Sequence, residues 1–225
     1  MKHLIYFILP LAILFSSCVT VDNSHPHAGN YSLQKNPSNS SSSVSEATNE
    51  ISNTDKKLNK KLSRKIYSKG KATPQQLYSF FMNKCPTADK EQIKRLAQYY
   101  VVEAANEGIN SDVAFVQMCL ETNYLRFGNL VSPEMHNYCG LGAIDEAHRG
   151  EVFETEQLGV RAHIQHLHAY ATKSNVALKN ALVDKRYKYV NPRGKAKTVF
   201  ELAGTWAADK QYGKKLDKLL SDLGK

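Results

Sequence analysis

The stretch Gly-Ile-Asn-Ser-Asp-Val-Ala-Phe-Val-Gln-Met-Cys-Leu-Glu-Thr-Asn-Tyr-Leu-Arg-Phe, residues 108–127, decides the fold. Ser111 and Asp112 carry short oxygen-bearing side chains that accept from the free N–H groups of a first turn, so they suit a helix start. Val113, Ala114, Phe115, Val116, Met118, Cys119 and Leu120 then put apolar atoms on nearly every face. A helix that is apolar all round is a buried one. At its C-terminal end stands a carboxylate, Glu121. Burial disfavours the charged form, and the negative end of the helix dipole acts in the same sense by ~0.3–1 kcal/mol. Both effects favour a carboxyl group that keeps its proton near neutral pH, as a general acid must. The competing reading is a Glu121 exposed at the helix end or paired with Arg126, because charged side chains are mostly exposed.

Outward from that helix the pattern stays helical. Thr73 can cap a helix that Pro74 begins, with Leu77, Phe80 and Phe81 on one face. Residues 92–107 place Ile93, Leu96, Ala97, Tyr100, Val101 and Ala104 at three-four spacing, and Gly108 ends the run. Downstream, residues 128–142 form a loop containing Asn137-Tyr-Cys-Gly-Leu-Gly, and residues 143–153 are a small hairpin or an irregular loop. Helical spacing returns over residues 156–175 through Val160, Ile164, Leu167 and Ala171, and residues 176–182 read as one or two further turns. A loop with Pro192, a short helix over 198–203, Trp206, and a last helix with Leu216, Leu219, Leu220 and Leu223 on one face complete the chain. Tyr212 and Gly213 open that last helix. The pattern predicts one mostly helical domain over residues 71–225, large enough for a single core, with no internal repeat and no phosphate-cradling loop.

The ends and the composition bound the setting. Lys2 and His3 precede an apolar run over residues 4–15 and then Ser16-Ser-Cys18. A basic start, a short apolar core and small residues describe a secretory signal, too short to span a bilayer. A cysteine directly after the small residues resembles the lipobox of bacterial lipoproteins, with Phe15 where leucine is usual. That likeness implies a signal over 1–17, an acylated Cys18, and a domain anchored to a bacterial membrane in the cell envelope. An ordinary signal peptide with an incidental cysteine is the alternative. Residues 18–70 are rich in Ser, Asn and Lys and poor in large apolar residues, so they read as a flexible linker ending in a basic cluster. The formal charge of +9 suits an acidic partner such as nucleic acid, a membrane surface or an anionic wall polymer. The signal argues against nucleic acid by taking the chain out of the cytoplasm. Four cysteines, Cys18, Cys85, Cys119 and Cys139, are too few for a disulfide scaffold and read as buried thiols with at most one bridge.

Other constellations carry less chemistry. His163, His166 and His168 lie on the 156–175 helix, but the sequence has neither a third ligand at metal-site spacing nor an HExxH pattern, so packed histidines are expected and no metal. Cys119 lies inside the apolar helix, where a thiol is inert. Tyr124, Phe127, Tyr138, Trp206 and Tyr212 cluster around the loops and can stack on sugar rings or pack in the core.

Four motifs in order resemble the glycoside hydrolase family 73 glucosaminidases. They are Ala114-Phe-Val-Gln-Met-Cys-Leu-Glu121-Thr-Asn-Tyr, Asn137-Tyr-Cys-Gly-Leu-Gly142, Gly159-Val-Arg-Ala-His-Ile-Gln-His-Leu-His-Ala-Tyr-Ala171 and Leu202-Ala-Gly-Thr-Trp-Ala-Ala-Asp-Lys-Gln-Tyr-Gly213. The resemblance implies an α+β, mainly α, lysozyme-like fold with a short hairpin or loop beside the catalytic helix. It implies cleavage, without a cofactor, of the β-1,4 bond between N-acetylglucosamine and N-acetylmuramic acid in peptidoglycan glycan strands. The family's general acid falls on Glu121 and its active-site tyrosine on Tyr212. The loop with Asn137, Tyr138 and Gly140 would line the substrate groove, with Trp206 as a packing or groove residue, and Tyr124 is a further substrate-binding candidate. Many members carry a second acid on a hairpin, and here Asp145, Glu146, Glu151 and Glu154 all compete, with Glu146 and Glu154 as the candidates. A partner at ~5–5.5 Å means retention and one at ~6.5–9.5 Å inversion, and participation by the substrate's N-acetyl group is the third route. The alternatives to this activity are a non-catalytic wall-binding lipoprotein, and muramidase or lytic transglycosylase action on the same fold.

Overall fold

A computed structural model describes residues 61–128 and 130–225. The expected signal, Cys18 and nearly all of the linker lie outside the described residues. Among the described residues five α-helices dominate: α1 (Pro74–Lys84), α2 (Lys90–Glu107), α3 (Ser111–Glu121), α4 (Glu156–Ala171) and α5 (Tyr212–Leu223). Two short antiparallel strands, β1 (Ala143–Asp145) and β2 (His148–Arg149), form a hairpin between α3 and α4. This is a mainly helical α+β arrangement of the lysozyme-like kind.

The central helix is α3. Every residue of it from Ser111 to Cys119 is buried, as its unbroken apolar run predicts. The cap is Asn110 rather than Ser111 or Asp112: its side chain accepts from the Asp112 amide at 3.0 Å. Asp112 is drawn elsewhere, accepting from the backbone N–H groups of Lys71 and Ala72 at 2.9 and 3.0 Å. That fixes the entry to α1, where Thr73 caps and Pro74 begins the helix. Gly108 ends α2 with φ 70°, a left-handed turn that delivers the chain into α3. The stripes of α1, α2, α4 and α5 then close around α3 with Phe81, Tyr100, Phe115, Ile164 and Leu216 in one core.

Three boundaries differ from the sequence reading. Residues 61–70 belong to the folded unit, not to a linker ending at residue 70. Leu62 and Ile66 are buried at 2% and 0% exposure. Lys65 pairs with Thr198 and Tyr67 with Ile109 in isolated β-bridges, and Arg64 ion-pairs with Asp217 at 2.6 Å. Second, α4 ends at Ala171, where Thr172 turns its hydroxyl back onto the His168 carbonyl. Third, residues 176–182 form no helix. Buried side chains hold the backbone in and just after this segment: Glu107 accepts from the amides of Lys179 and Asn180, both at 2.9 Å, and Gln165 from those of Val183 and Asp184. An outside carboxylate or amide has replaced the internal helix bond, which satisfies the same donors. Glu103 also receives Arg161, Gln157 and Asn180. Burial pushes its carboxyl up, but these hydrogen bonds and the Arg161 charge outweigh it and hold the pKa below the usual value.

Candidate active site

Glu121 ends α3. Its Oε1 accepts the Trp206 indole N–H at 2.9 Å and a very short hydrogen bond from the Tyr212 hydroxyl. Its Oε2 has no partner among the described residues and is not sealed from solvent. One oxygen is therefore anchored and the other is presented. Burial lifts the carboxyl pKa from 4.5 to about 7, against the opposing pull of the Tyr212 and Trp206 donors. With both donors on Oε1, the proton of the neutral form sits on Oε2, the oxygen open to a ligand. Arg126 makes no ion pair with Glu121; it reaches Cys85 instead.

A string of side chains runs from this carboxyl into the core. Gln117 lies one turn before Glu121 on the same face and donates to the Tyr212 oxygen at 2.8 Å. Gln117 Oε1 meets His163 Nε2 at 3.2 Å, and His163 Nδ1 meets the Tyr100 hydroxyl at 2.9 Å. Burial, with His166 nearby, pushes the His163 pKa down to about 3, so its ring is neutral. Only one ring proton is then present, and it belongs on Nε2, where Gln117 Oε1 accepts it. Each group donates toward Glu121, from Tyr100 through His163, Gln117 and Tyr212. Tyr212 stays protonated, because burial and the neighbouring Glu121 push its pKa well up. Sequence reasoning missed Gln117 and the link through His163. The available signal was a lone amide four residues before Glu121 in an otherwise apolar helix.

The elements around the site hold it under strain. After α3, Asn123, Tyr124 and Leu125 are consecutively left-handed, with φ 49°, 57° and 58°. Such residues cost roughly 1–2 kcal/mol each and persist only where surroundings over-determine them. Here Thr122 does so: its hydroxyl donates to the Met118 carbonyl at 2.8 Å and accepts the Leu125 amide at 2.9 Å. Tyr212 is brought to Glu121 by a close approach of α5 to the 3₁₀ turn Val199–Leu202. A Cβ on Gly213 would lie 2.6 Å from the Phe200 Cα, so only glycine allows that spacing.

The remaining expected site residues divide. Trp206 is 4% exposed and is shared between Glu121 and an adjoining cavity of about 490 Å³. Gly140 lines that cavity, with φ 65° and open space where a side chain would be. Asn137 and Tyr138 are corrected: neither faces a groove. Asn137 is 1% exposed and spends its amide on the loop, donating to the carbonyls of Leu141 and Glu151 and accepting the Leu141 amide. Tyr138 is 1% exposed, its hydroxyl shut in the interior. In an irregular loop no periodicity tells which side chains turn inward. Tyr124 is partly buried just after Glu121, with its ring packed on Phe81 at 5.3 Å. Glu146 is exposed in the hairpin turn between β1 and β2, and Glu154 is exposed just before the Thr155 cap of α4. Neither is a hydrogen-bond partner of Glu121. Asp145 pairs with His148, and Glu151 with Lys185.

Cys119 and Cys139 are buried, and burial pushes both thiols well up, which makes them poor nucleophiles. His166 joins the buried Asp184 at 2.8 Å, and His168 lies against Tyr187, so the helix's histidines are engaged in separate contacts. Among the described residues no group of three metal-ligating side chains is assembled.

Comparison with known proteins agrees with this geometry. Residues 97–225, which include α3, α4, α5 and Trp206, match the family model described as Glucosaminidase, mannosyl-glycoprotein endo-beta-N-acetylglucosaminidase. An uncharacterized protein of Borreliella burgdorferi is 41% identical over 158 residues, covering 70% of this chain and 76% of that protein. The chain belongs to the glucosaminidase family of peptidoglycan hydrolases.

Proposed function

We propose that this protein is an endo-β-N-acetylglucosaminidase that cleaves the β-1,4 bond between N-acetylglucosamine and N-acetylmuramic acid in peptidoglycan. The observation that carries the reading is the Glu121 carboxyl, lifted by burial to about 7 and anchored through one oxygen only. Below that pH the Oε2 proton is available to the glycosidic oxygen as the bond breaks. The resulting carboxylate is then met by the Tyr212 and Trp206 donors already in place, which stabilise charge without reorganisation. Water completes the hydrolysis. The second group that assists it is Glu146 on the hairpin, Glu154 before α4, or the substrate's own N-acetyl group, and the stereochemistry of the product follows from which one acts. We further propose that Cys18 is acylated, holding the domain in the cell envelope beside its wall substrate.

The test is digestion of purified peptidoglycan, followed by reduction and mass spectrometry of the fragments. Reduced N-acetylglucosamine ends are expected from the wild type and none from Glu121→Gln, which still binds glycan. Turnover is expected to fall as pH rises through about 7. Reduced muramic or anhydro ends would assign the neighbouring bond instead, and binding without fragments would remove the enzyme reading.

A further inference from the structure

Trp206, whose indole N–H holds Glu121, also lines the cavity of about 490 Å³. The cavity wall carries three aromatic rings, Tyr170, Tyr189 and Trp206, and two cations, Lys195 and Arg186. Tyr170 and Trp206 pack at 5.1 Å, so their rings form one continuous side. The Tyr170 hydroxyl donates to the Thr205 carbonyl at 3.0 Å, which fixes the ring beside the loop that carries Trp206. No aspartate or glutamate among the described residues lines the cavity. Asp184, which meets the lining His166, is buried and already taken by it.

Lys195 is the unusual member. It is half-buried, and its ammonium lies 4.6 Å over the Tyr170 ring. No carboxylate among the described residues is within ion-pair distance of it. Burial lowers its pKa, so the charge is held there at a cost. A desolvated cation on an aromatic face, inside a cavity that adjoins a glycosidase acid, is set up to receive an anion.

We propose that this cavity is a subsite for a carboxylate carried on the glycan's side group, with the Lys195 ammonium as its counter-charge and the Tyr170 and Trp206 rings against the apolar part of that group. This inference rests on the peptidoglycan reading above. Alternating glycan strands offer such a carboxylate in two ways: on the bare lactyl ether of a muramic residue, or on the peptide attached to it. A neutral chitin chain offers none. The subsite would thus favour wall glycan over a polymer with the same backbone bond.

The experiment uses the full chain as Glu121→Gln, so that ligands survive, and measures Kd by calorimetry for three glycans of equal length. These are a strand with bare lactyl groups, the same strand with its peptides, and a chitin oligosaccharide. Adding Lys195→Met, which keeps an apolar stem and removes the charge, is expected to weaken an anionic ligand by about ten-fold and leave chitin binding unchanged. Lys195→Arg is expected to restore most of the affinity. Loss with the bare strand assigns the lactyl carboxylate, and loss confined to the peptide-bearing strand assigns the peptide. If Lys195→Met leaves every affinity unchanged, or lowers all three equally, the proposal is overturned. If Lys195→Met melts early, the salt dependence of the protein with Lys195 intact decides: raising ionic strength must erase a preference for anionic over neutral ligand. Fragment release by the wild type is scored separately. Its absence would sink the hydrolase reading while the ligand preference still judges the subsite.

Discussion

At the scale of single residues, Glu121 shows function working against stability. A carboxyl whose folded pKa lies near 7 and whose unfolded pKa is near 4.5 holds its proton more tightly when folded. Below about pH 4.5 both states are protonated and nothing is lost. Between there and about 7 the unfolded chain releases a proton that the folded one retains, so stability falls as pH rises, and above 7 the deficit is constant. The shift corresponds to a deficit on the order of 2–3 kcal/mol, at the lower end because Oε2 is open to solvent. Glu121→Gln removes the ionisable group and keeps an oxygen for Trp206 and Tyr212. It is therefore expected to melt several degrees above the wild type at pH 8 and level with it at pH 4.5. Thermal denaturation across that range checks this, and a pH-independent difference would place Glu121 in an ordinary solvated environment.

At the scale of elements, what was legible depended on whether a signal was local. Thr73, Pro74 and Gly108 mark helix ends by their own backbone chemistry, and the five helices follow from them and from apolar spacing. The segment 176–182 has helix-like apolar spacing too, yet Glu107 and Gln165 reach the amides in and after it from other helices and hold the chain out of a helix. Nothing local announces such partners. Glu121 and Tyr212 meet across 91 positions of sequence; family resemblance paired them, whereas spacing could not. Gly213 shows the cost of that meeting. By intrinsic propensity, alanine at a helix's second residue should help by up to ~1 kcal/mol. Its Cβ would instead press on Phe200 Cα at 2.6 Å and the Val199 carbonyl at 2.9 Å, both backbone atoms with little freedom to yield. Overpacking of this kind costs roughly 1–3 kcal/mol, which exceeds the propensity gain. Gly213→Ala is expected to lower the melting temperature and, by shifting the adjacent Tyr212 off Glu121, to reduce kcat by about a hundred-fold with little change in KM. Steady-state kinetics beside a melting curve separates the two effects; unchanged kcat would mean that the hydroxyl's position does not matter.

At the scale of the whole molecule, the folded unit starts before the sequence suggests. Leu62 and Ile66 stand among lysines, where two apolar residues four apart make too weak a pattern to read as core. Their burial follows from partners far along the chain. The Ile66 amide donates to the Lys197 carbonyl at 2.9 Å, and its carbonyl accepts the Asn110 amide at 2.8 Å. The Asn110 side chain, buried while it caps α3, donates to the carbonyls of Ser63 and Lys65. Arg64 meanwhile ties this segment to α5 through Asp217. Cutting the chain at residue 71 would remove two buried aliphatic side chains worth roughly 1.5–3 kcal/mol each and leave the cap of the catalytic helix with unanswered donors at about 1–3 kcal/mol. The sum is comparable to the whole stability of a domain, about 5–15 kcal/mol. A fragment of residues 61–225 is therefore expected to unfold in one cooperative transition, and a fragment of residues 71–225 to melt far lower or not to fold at all. Circular dichroism melting of the two fragments checks this directly. Equal melting temperatures would show that residues 61–70 merely lie on the core, and that the catalytic helix needs no support from them.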